Sequence, residues 1–235
     1  MTIPTSYFRY FLTLILFSVI TFSAHSTEKI TKKYDIEDFT RIYLEGPYEV
    51  VLIQDTSCGL TVIAPKTAFD LIDVSSSGGL LAIEIEDKFF RKPKVITLEI
   101  HVEQLSKLSI EGAVDLETRG TLKTDNLKIN FEGAGNMEMD IDASKIIAII
   151  EGVGNFEFSG KTEYHKVEFS GVGSYDASDL ISKYTYVESY GIGNVKVHAT
   201  YEIRGEVSGV GSLDYYGDPD VTDVEASGIG GVRRH

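Results

Sequence analysis

The sequence predicts an all-β protein, and within that class a parallel β-helix (β-solenoid) with coils of about 19–20 residues. Three observations predict it: a glycine phrase recurs at a nearly constant interval, apolar residues alternate on both sides of each phrase, and no helical pattern lies between phrases. Such a repeat is typical of stacked coils, because each coil buries its apolar edge only against the next one.

The glycine phrase is Gly-x-Gly followed by a small polar residue, as in "INFEGAGNMEMDI". Its first glycine stands at 112, 133, 152, 171, 191, 209 and 228, so the intervals are 21, 19, 19, 20, 18 and 19 residues. We expect these glycines to permit a sharp corner between two strands through positive φ values. The glycines assigned to the corners are Gly133, Gly135, Gly152, Gly154, Gly171, Gly173, Gly191, Gly193, Gly209 and Gly211.

The residues around each corner show the period of two that is typical of strands. Positions two and four before the first glycine, and four and six after it, are mostly apolar, so each coil presents one inward strand before the corner and one after it. His165 falls on this inward register and is expected to be a packed core residue. The inward residues nearest the corners are Ile110, Phe131, Ile150, Phe169, Ser189, Val207 and Ala226 before them, and Leu116, Met137, Phe156, Tyr175, Val195, Leu213 and Val232 after them.

The amino-terminal third follows the pattern less regularly. "RIYLEGPYEVVLIQ" repeats the register around Gly46 and is interpreted as a first coil. Residues 53–107 contain alternating strands without the phrase, so the sequence does not show how they join the β-helix. We expect longer strands here that cap the open end of the stack. "DKFFRKP", residues 87–93, is predicted to be a protruding loop.

Export is predicted from the amino terminus. Arg9 precedes the apolar run "YFLTLILFSVITF", and small residues follow it, so residues 1–26 are interpreted as a signal peptide that is cleaved before Thr27. The remaining chain is predicted to be one domain, residues 38–232, and not an integral membrane protein. Its one cysteine, Cys58, allows no intrachain disulfide, which suits a bacterial envelope protein in the periplasm or at the cell surface.

The net negative charge of the chain limits the classes of molecule that it is expected to bind. A formal net charge of -14 argues against nucleic acid or anionic lipid, because an acidic protein gains nothing from counterion release on those polyanions. The charge is compatible with three other classes of partner: a cation, a glycan or another protein.

The serial phrases "EGAGN", "SGVGS" and "YGIGN", the opening "RIYLEGPYEVVLIQ" and the ending "VSGVGSLDYYGDPDV" resemble the putative auto-transporter adhesin head GIN domain. This is a family of exported bacterial proteins frequent in Bacteroidetes. The resemblance covers roughly residues 38–232. It implies a β-helical fold of repeats and an envelope or surface location, and it implies no established reaction.

Two outward sets of polar residues come next to the corners. Asp115, Asn136, Asn155, Ser174, Asn194 and Ser212 form one column, interpreted as a scaffold ladder in which side chains bond to each other and to turns. The carboxylates Glu111, Glu132 and Glu151 form another, and stacking would bring them roughly 4.8 Å apart. That repulsion invites a counterion, for which calcium is the candidate, unless neighbouring lysines balance the charge. No other cofactor is expected.

Exposed aromatics beside carboxylates define a candidate binding site for a glycan or an envelope protein. On the alternation rule Tyr186 and Tyr190 point outward beside Glu188, with Glu168 and Glu206 in the neighbouring coils. Ordinary cross-strand packing of tyrosines is the competing explanation.

No catalytic residue is assigned, because the histidines lack metal-ligand spacing and no Gly-x-Ser-x-Gly or His-Glu-x-x-His phrase occurs. The sequence therefore predicts a noncatalytic adhesin or surface-contact module. Two alternatives stay open: a carbohydrate-active lyase or hydrolase that uses the outward carboxylates, and a structural component of an envelope assembly.

Overall fold

The computed structural model of the protein describes residues 28–85 and 95–235. The predicted signal peptide and the predicted loop at 87–93 lie outside the described residues. The described chain is all-β, as predicted, with one 3₁₀ turn at Lys66–Ala68. None of its helical segments has the length and apolar character needed to cross a membrane.

Thirteen strands make up the described fold. Those of the amino-terminal part are β1 (Lys29–Tyr34), β2 (Phe39–Gln54), β3 (Gly59–Pro65), β4 (Ile72–Ser77), β5 (Gly79–Ile85) and β6 (Ile96–Val102). Those of the repeat region are β7 (Lys107–Thr118), β8 (Leu122–Phe169), β9 (Val172–Ser189), β10 (Ile192–Val207), β11 (Val210–Tyr216), β12 (Val221–Ala226) and β13 (Ile229–Arg234). The longest of them, β8, continues through two of the glycine phrases.

Parallel pairing joins successive repeats with the glycine phrases in register. Gly46 pairs with Gly112, which pairs with Gly133. Further along, Gly173 pairs with Gly193. The strands follow one another in the order β2-β7-β8-β9-β10-β11-β13, and β12 pairs with β10. The predicted parallel register is therefore present, whereas the winding of these strands into a β-helix stays a prediction.

The amino-terminal strands lie at one end of this stack. β5 pairs in parallel with the first half of β2 and β6 with its second half, so both lie outside the coil that β2 begins. Antiparallel strands then border them, with β4 on β5 and β3 on β6, and β1 on β3. The expectation of longer strands is wrong, since β3 to β6 are six or seven residues each. Two short strands, β5 and β6, together pair along most of β2, and antiparallel strands cover their outer edges.

The inward columns form one hydrophobic core. Phe131 and Phe156 meet edge to face with ring centroids 4.9 Å apart, and Phe156 meets Phe169 at 6.4 Å. All three rings are buried, and the burial of each one stabilises the fold by roughly 1.5–3 kcal/mol. The last coil departs from the pattern, with Ala226 exposed and Val232 half-buried, because only one neighbouring coil covers it.

The corner glycines are required mainly by the close approach of the backbones of neighbouring repeats. Positive φ holds for five of the ten predicted corner glycines: Gly133, Gly135, Gly173, Gly193 and Gly211. The expectation is wrong for the other five: Gly152, Gly154, Gly171, Gly191 and Gly209. At those five positions an added Cβ would overlap the carbonyl oxygen of the glycine one coil below, so a lack of space excludes a side chain.

Candidate functional site

The polar column beside the corners is a hydrogen-bonded ladder, as the sequence predicted. Asn136 Nδ2 donates to Asp115 Oδ1 at 2.8 Å, and Asn155 Nδ2 donates to Asn136 Oδ1 at 3.2 Å. The Ser174 hydroxyl continues it to Asn155 Oδ1 at 2.8 Å. Because these side chains hydrogen-bond to one another across successive repeats, the ladder belongs to the scaffold.

A group of four tyrosines lies on the outward side of the strands that precede the corners. Tyr164 lies on β8, Tyr184 and Tyr186 lie on β9, and Tyr201 lies on β10. The parallel register sets Tyr164 against Tyr184, while inward residues such as Val187 are buried. We call these four residues the tyrosine face.

The rings of the tyrosine face contact one another and are bordered by lysines. Tyr164 and Tyr186 stack with centroids 5.2 Å apart, and Tyr184 meets Tyr201 edge to face at 5.5 Å. The Nζ atom of Lys145 lies 4.9 Å from the Tyr164 ring centre, and that of Lys183 lies 5.1 Å from Tyr184. An ammonium over a ring face is attracted by the ring quadrupole, so the lysines hold the rings in place.

A carboxylate links the hydroxyl of this face to a guanidinium. The Tyr186 hydroxyl donates to Glu202 Oε1 at 3.2 Å, and Arg204 Nε lies 2.5 Å from the same oxygen. Partial desolvation raises the pKa of Tyr186, and the hydrogen bond to Glu202 raises it further. Tyr186 therefore stays a neutral phenol that can stack and hydrogen-bond at physiological pH.

The predicted binding residues are brought together only in part. Lys166 Nζ lies 2.8 Å from Glu168 and 3.2 Å from Glu188, so one cation bridges both carboxylates beside Tyr186. Glu206 continues the same column, in register with Glu188. Tyr190 is 54% exposed beside its corner, four residues from Tyr186, and within the described chain it makes no ring contact with the tyrosine face.

Sequence reasoning missed three members of the tyrosine face: Tyr164, Tyr184 and Tyr201. A signal for the first two was available, because both stand seven residues before a corner glycine and so share the outward parity of Tyr186. Tyr201 lacks that signal, since a register shift between β9 and β10 near Ala199 alters the local alternation.

The predicted calcium column lines a separate groove of about 430 Å³. Glu111 is in register with Glu132, and Glu151 lines the groove with both. Burial raises the pKa of Tyr43, which also lines it, and hydrogen bonds to Glu45 and Glu111 add to that effect. In residues 28–85 and 95–235 no three His, Cys, Asp or Glu side chains are arranged to hold a metal ion. Calcium binding stays a prediction.

A larger groove lies beside the tyrosine face. It has a volume of about 810 Å³, within the range of small-ligand sites, and Lys183, whose Nζ atom lies over the Tyr184 ring, also lines it. Its lining is polar and of mixed charge, with Lys161 and Asp142 paired at 3.2 Å. The lining residues include Lys123, Asp125, Asp142, Lys161, Glu163 and Lys183.

Fold and surface together define a class: an all-β repeat protein of in-register parallel strands that presents extended side-chain columns. The chain belongs to the family described as "Putative auto-transporter adhesin, head GIN domain", whose model matches residues 38–219. The family predicted from the glycine phrases is thus confirmed. Among curated proteins, none matches the chain.

Solved structures include similar proteins from Bacteroides and Parabacteroides species. A putative adhesin from Bacteroides fragilis is 25% identical, with a TM-score of 0.82, covering 89% of this chain and 98% of its own. A putative adhesin from Parabacteroides merdae is 17% identical, with a TM-score of 0.65 and coverage of 89% and 97%. A putative lipid binding protein from Parabacteroides distasonis is 20% identical, with a TM-score of 0.63 and coverage of 88% and 97%. The last two likenesses concern the fold alone.

Proposed function

We propose that this protein is an exported, noncatalytic contact module at the bacterial periplasm or cell surface. In this proposal the parallel strands wind into a β-solenoid, and the tyrosine face on its side binds a glycan. The adhesin description of the family, and of the relative from Bacteroides fragilis, supports a contact role.

Winding into a solenoid is supported by register and burial together. The glycine phrases pair from repeat to repeat, and inward residues on both sides of the corners up to Gly209 belong to one buried cluster. In a flat sheet, a face becomes buried only when a second layer of structure covers that face. Strands on both sides of each corner that share one core favour a closed coil.

The observation that carries the glycan proposal is the stacked pair Tyr164 and Tyr186 with its hydrogen-bonding neighbours. Sugar rings offer apolar C–H faces to aromatic rings and hydroxyls to carboxylates. Glu202 lies within 3.2 Å of the Tyr186 hydroxyl, and Lys166 lies between two further carboxylates on the same surface. The adjoining groove of about 810 Å³ gives a polar chain room beside the rings.

A glycan array tests this proposal with protein purified after export. We expect binding by the wild type and its loss in Tyr186→Ala, while Tyr43→Ala, a tyrosine of a different groove, keeps binding. A parallel array with a chelator tests the calcium column of Glu111, Glu132 and Glu151. Absence of binding in both conditions, or equal binding by Tyr186→Ala, contradicts the glycan proposal.

The noncatalytic part of the proposal has its own check. A glycan recovered from the array experiment should keep its chain length and reducing-end content after long incubation with the protein. Shortening or a new unsaturated end would instead assign the outward carboxylates to a hydrolase or lyase.

A further inference from the structure

An exposed line of apolar side chains runs along the corner edge of the carboxyl-terminal coils. It consists of the residues between the two glycines of each phrase: Val153, Val172, Ile192, Val210 and Ile229. Successive members pair in register from β8 to β13. Their exposed fractions are 56%, 46%, 56%, 47% and 76% in that order. We call these five residues the apolar ridge.

Charge disappears from the flanks of the ridge after its first residue, Val153, which still has Glu151 beside it. In the earlier coils the same position holds the small residues Ala113 and Ala134, beside Glu111 and Glu132. From the second ridge-bearing corner onward both flanking columns are uncharged. These flanks are Ser170, Tyr190, Ser208 and Ser227 on one side, and Ser174, Asn194, Ser212 and Gly231 on the other.

We propose that a second copy of this chain covers the apolar ridge, in a two-fold symmetric, antiparallel dimer. Ile192 is the central residue of the five, so a two-fold axis there sets Val172 against Val210 and Val153 against Ile229. The same surface then serves both copies, as a two-fold interface requires. Tyr190, which is 54% exposed, lies next to the axis at the centre of the interface, where an aromatic side chain contributes most to the binding energy.

Net charge explains why two copies meet at the ridge. Each chain carries a formal charge of -14, so most approaches set carboxylates against carboxylates. The uncharged strip is a surface on which two copies meet without that repulsion. Aligned β-branched side chains at a spacing of about 4.8 Å also allow two ridges to interdigitate.

The charges at the two ends of the ridge favour the antiparallel arrangement. The first ridge coil carries Glu151 and Glu157 near Val153. In the last coil Arg233 and Arg234 are paired with Asp214 and Asp218, so these side chains add no net charge there. An antiparallel pair brings the acidic end of one copy to this charge-balanced end of the other. A parallel pair would set Glu157 against its own counterpart.

Sedimentation velocity of the exported protein over a concentration series tests the dimer. The strip is narrow, and interfaces that bury less than about 1,200 Å² in total are weak, so we expect a dissociation constant of the order of micromolar. Ile192→Asp should raise it by about a hundredfold or more, because two carboxylates then meet at the axis. Ile181→Asp is the matched control, since Ile181 is 49% exposed but lies off the ridge. Equal unfolding midpoints show that both variants keep the fold.

Cysteine crosslinking tests the direction of the pair, in a Cys58→Ser background. The double variant Val153→Cys with Ile229→Cys should form a covalent dimer under oxidation, and Val153→Cys alone should not. A covalent dimer of the single variant overturns the antiparallel arrangement.

Three results overturn the dimer itself. One is a wild type that stays monomeric at about 300 µM, well above the expected dissociation constant. Another is a dimer that Ile192→Asp leaves unchanged. The third is a monomer that sediments with phosphatidylcholine vesicles in an Ile192-dependent way, which assigns the ridge to lipid instead. None of these results bears on glycan binding by the tyrosine face, because the two surfaces share no residue.

Discussion

Acidification should destabilise this protein through one buried histidine. His165 has no exposed surface, and its Nε2 atom lies 2.7 Å from the hydroxyl of Tyr175. Its Nδ1 atom has no hydrogen-bond partner among the described residues. Desolvation by burial lowers the pKa of His165 from 6.5 to about 4. The imidazole therefore stays neutral in the folded protein under conditions that protonate it in the unfolded chain.

The magnitude follows from the two pKa values of His165. Above pH 6.5 the side chain is neutral in both states and contributes no pH dependence. As the pH falls from 6.5 to about 4, the unfolded chain takes up a proton that the folded protein does not, so the free energy of unfolding decreases. At about 1.4 kcal/mol per pH unit the full loss is about 3 kcal/mol, complete below pH 4.

Urea unfolding at pH 7.5 and at pH 4.5 measures this loss. His165→Phe should lose less stability than the wild type between the two pH values, by about 2–3 kcal/mol. Tyr175→Phe is the control, because it removes the same hydrogen bond, at a cost of about 1 kcal/mol at every pH, and keeps the histidine. Equal losses in the wild type and His165→Phe would refute the reasoning.

Two further predictions concern the corners and the last coil. Gly193→Ala should lower the free energy of unfolding in urea titrations by about 3 kcal/mol, because Gly193 has φ +148° and an added Cβ would overlap a backbone oxygen. Gly231→Ala is the control and should change it by less than about 0.5 kcal/mol, because there is open space around Gly231. Equal effects of the two substitutions would contradict the packing argument. Asp214→Asn should speed hydrogen exchange in residues 229–234 several-fold, since buried Asp214 holds Arg233 of that strand at 2.7 Å. Asp218→Asn, which removes the exposed and solvent-screened pair with Arg234 of the same strand, should have a much smaller effect. Unchanged exchange in Asp214→Asn would show that the pair with Arg233 does not hold the strand.

The repeat region could be predicted from sequence because two local signals coincide there. The glycine interval fixes which residues pair between coils, and the period of two fixes which of them face inward, so Phe131, Phe156 and Phe169 are buried as expected. The amino-terminal strands escape this logic. β5 and β6 pair with β2 across long separations in the chain, and no repeated phrase marks that pairing.

For the candidate site, the sequence predicted only which side chains point outward, because alternation along a strand determines that and nothing more. Outward exposure of Tyr186 and Glu188 follows from alternation along one strand. The bridge from Lys166 to both carboxylates, and the stack of Tyr164 on Tyr186, depend on rotamers and on diagonal neighbours in adjacent coils. The spacing of residues in the sequence indicates the repeat in which a residue lies, but it does not indicate which neighbouring side chain that residue contacts.

The central claim is that the repeats stack in register, because the tyrosine face and the apolar ridge both depend on it. Spin labels at Ser109 and Glu206, two positions of one outward column, measure it by double electron–electron resonance in protein diluted with unlabelled copies. Five steps of about 4.8 Å predict a single distance peak near 24 Å. A peak beyond about 40 Å, or a distribution without a maximum near the predicted distance, would contradict the stacking.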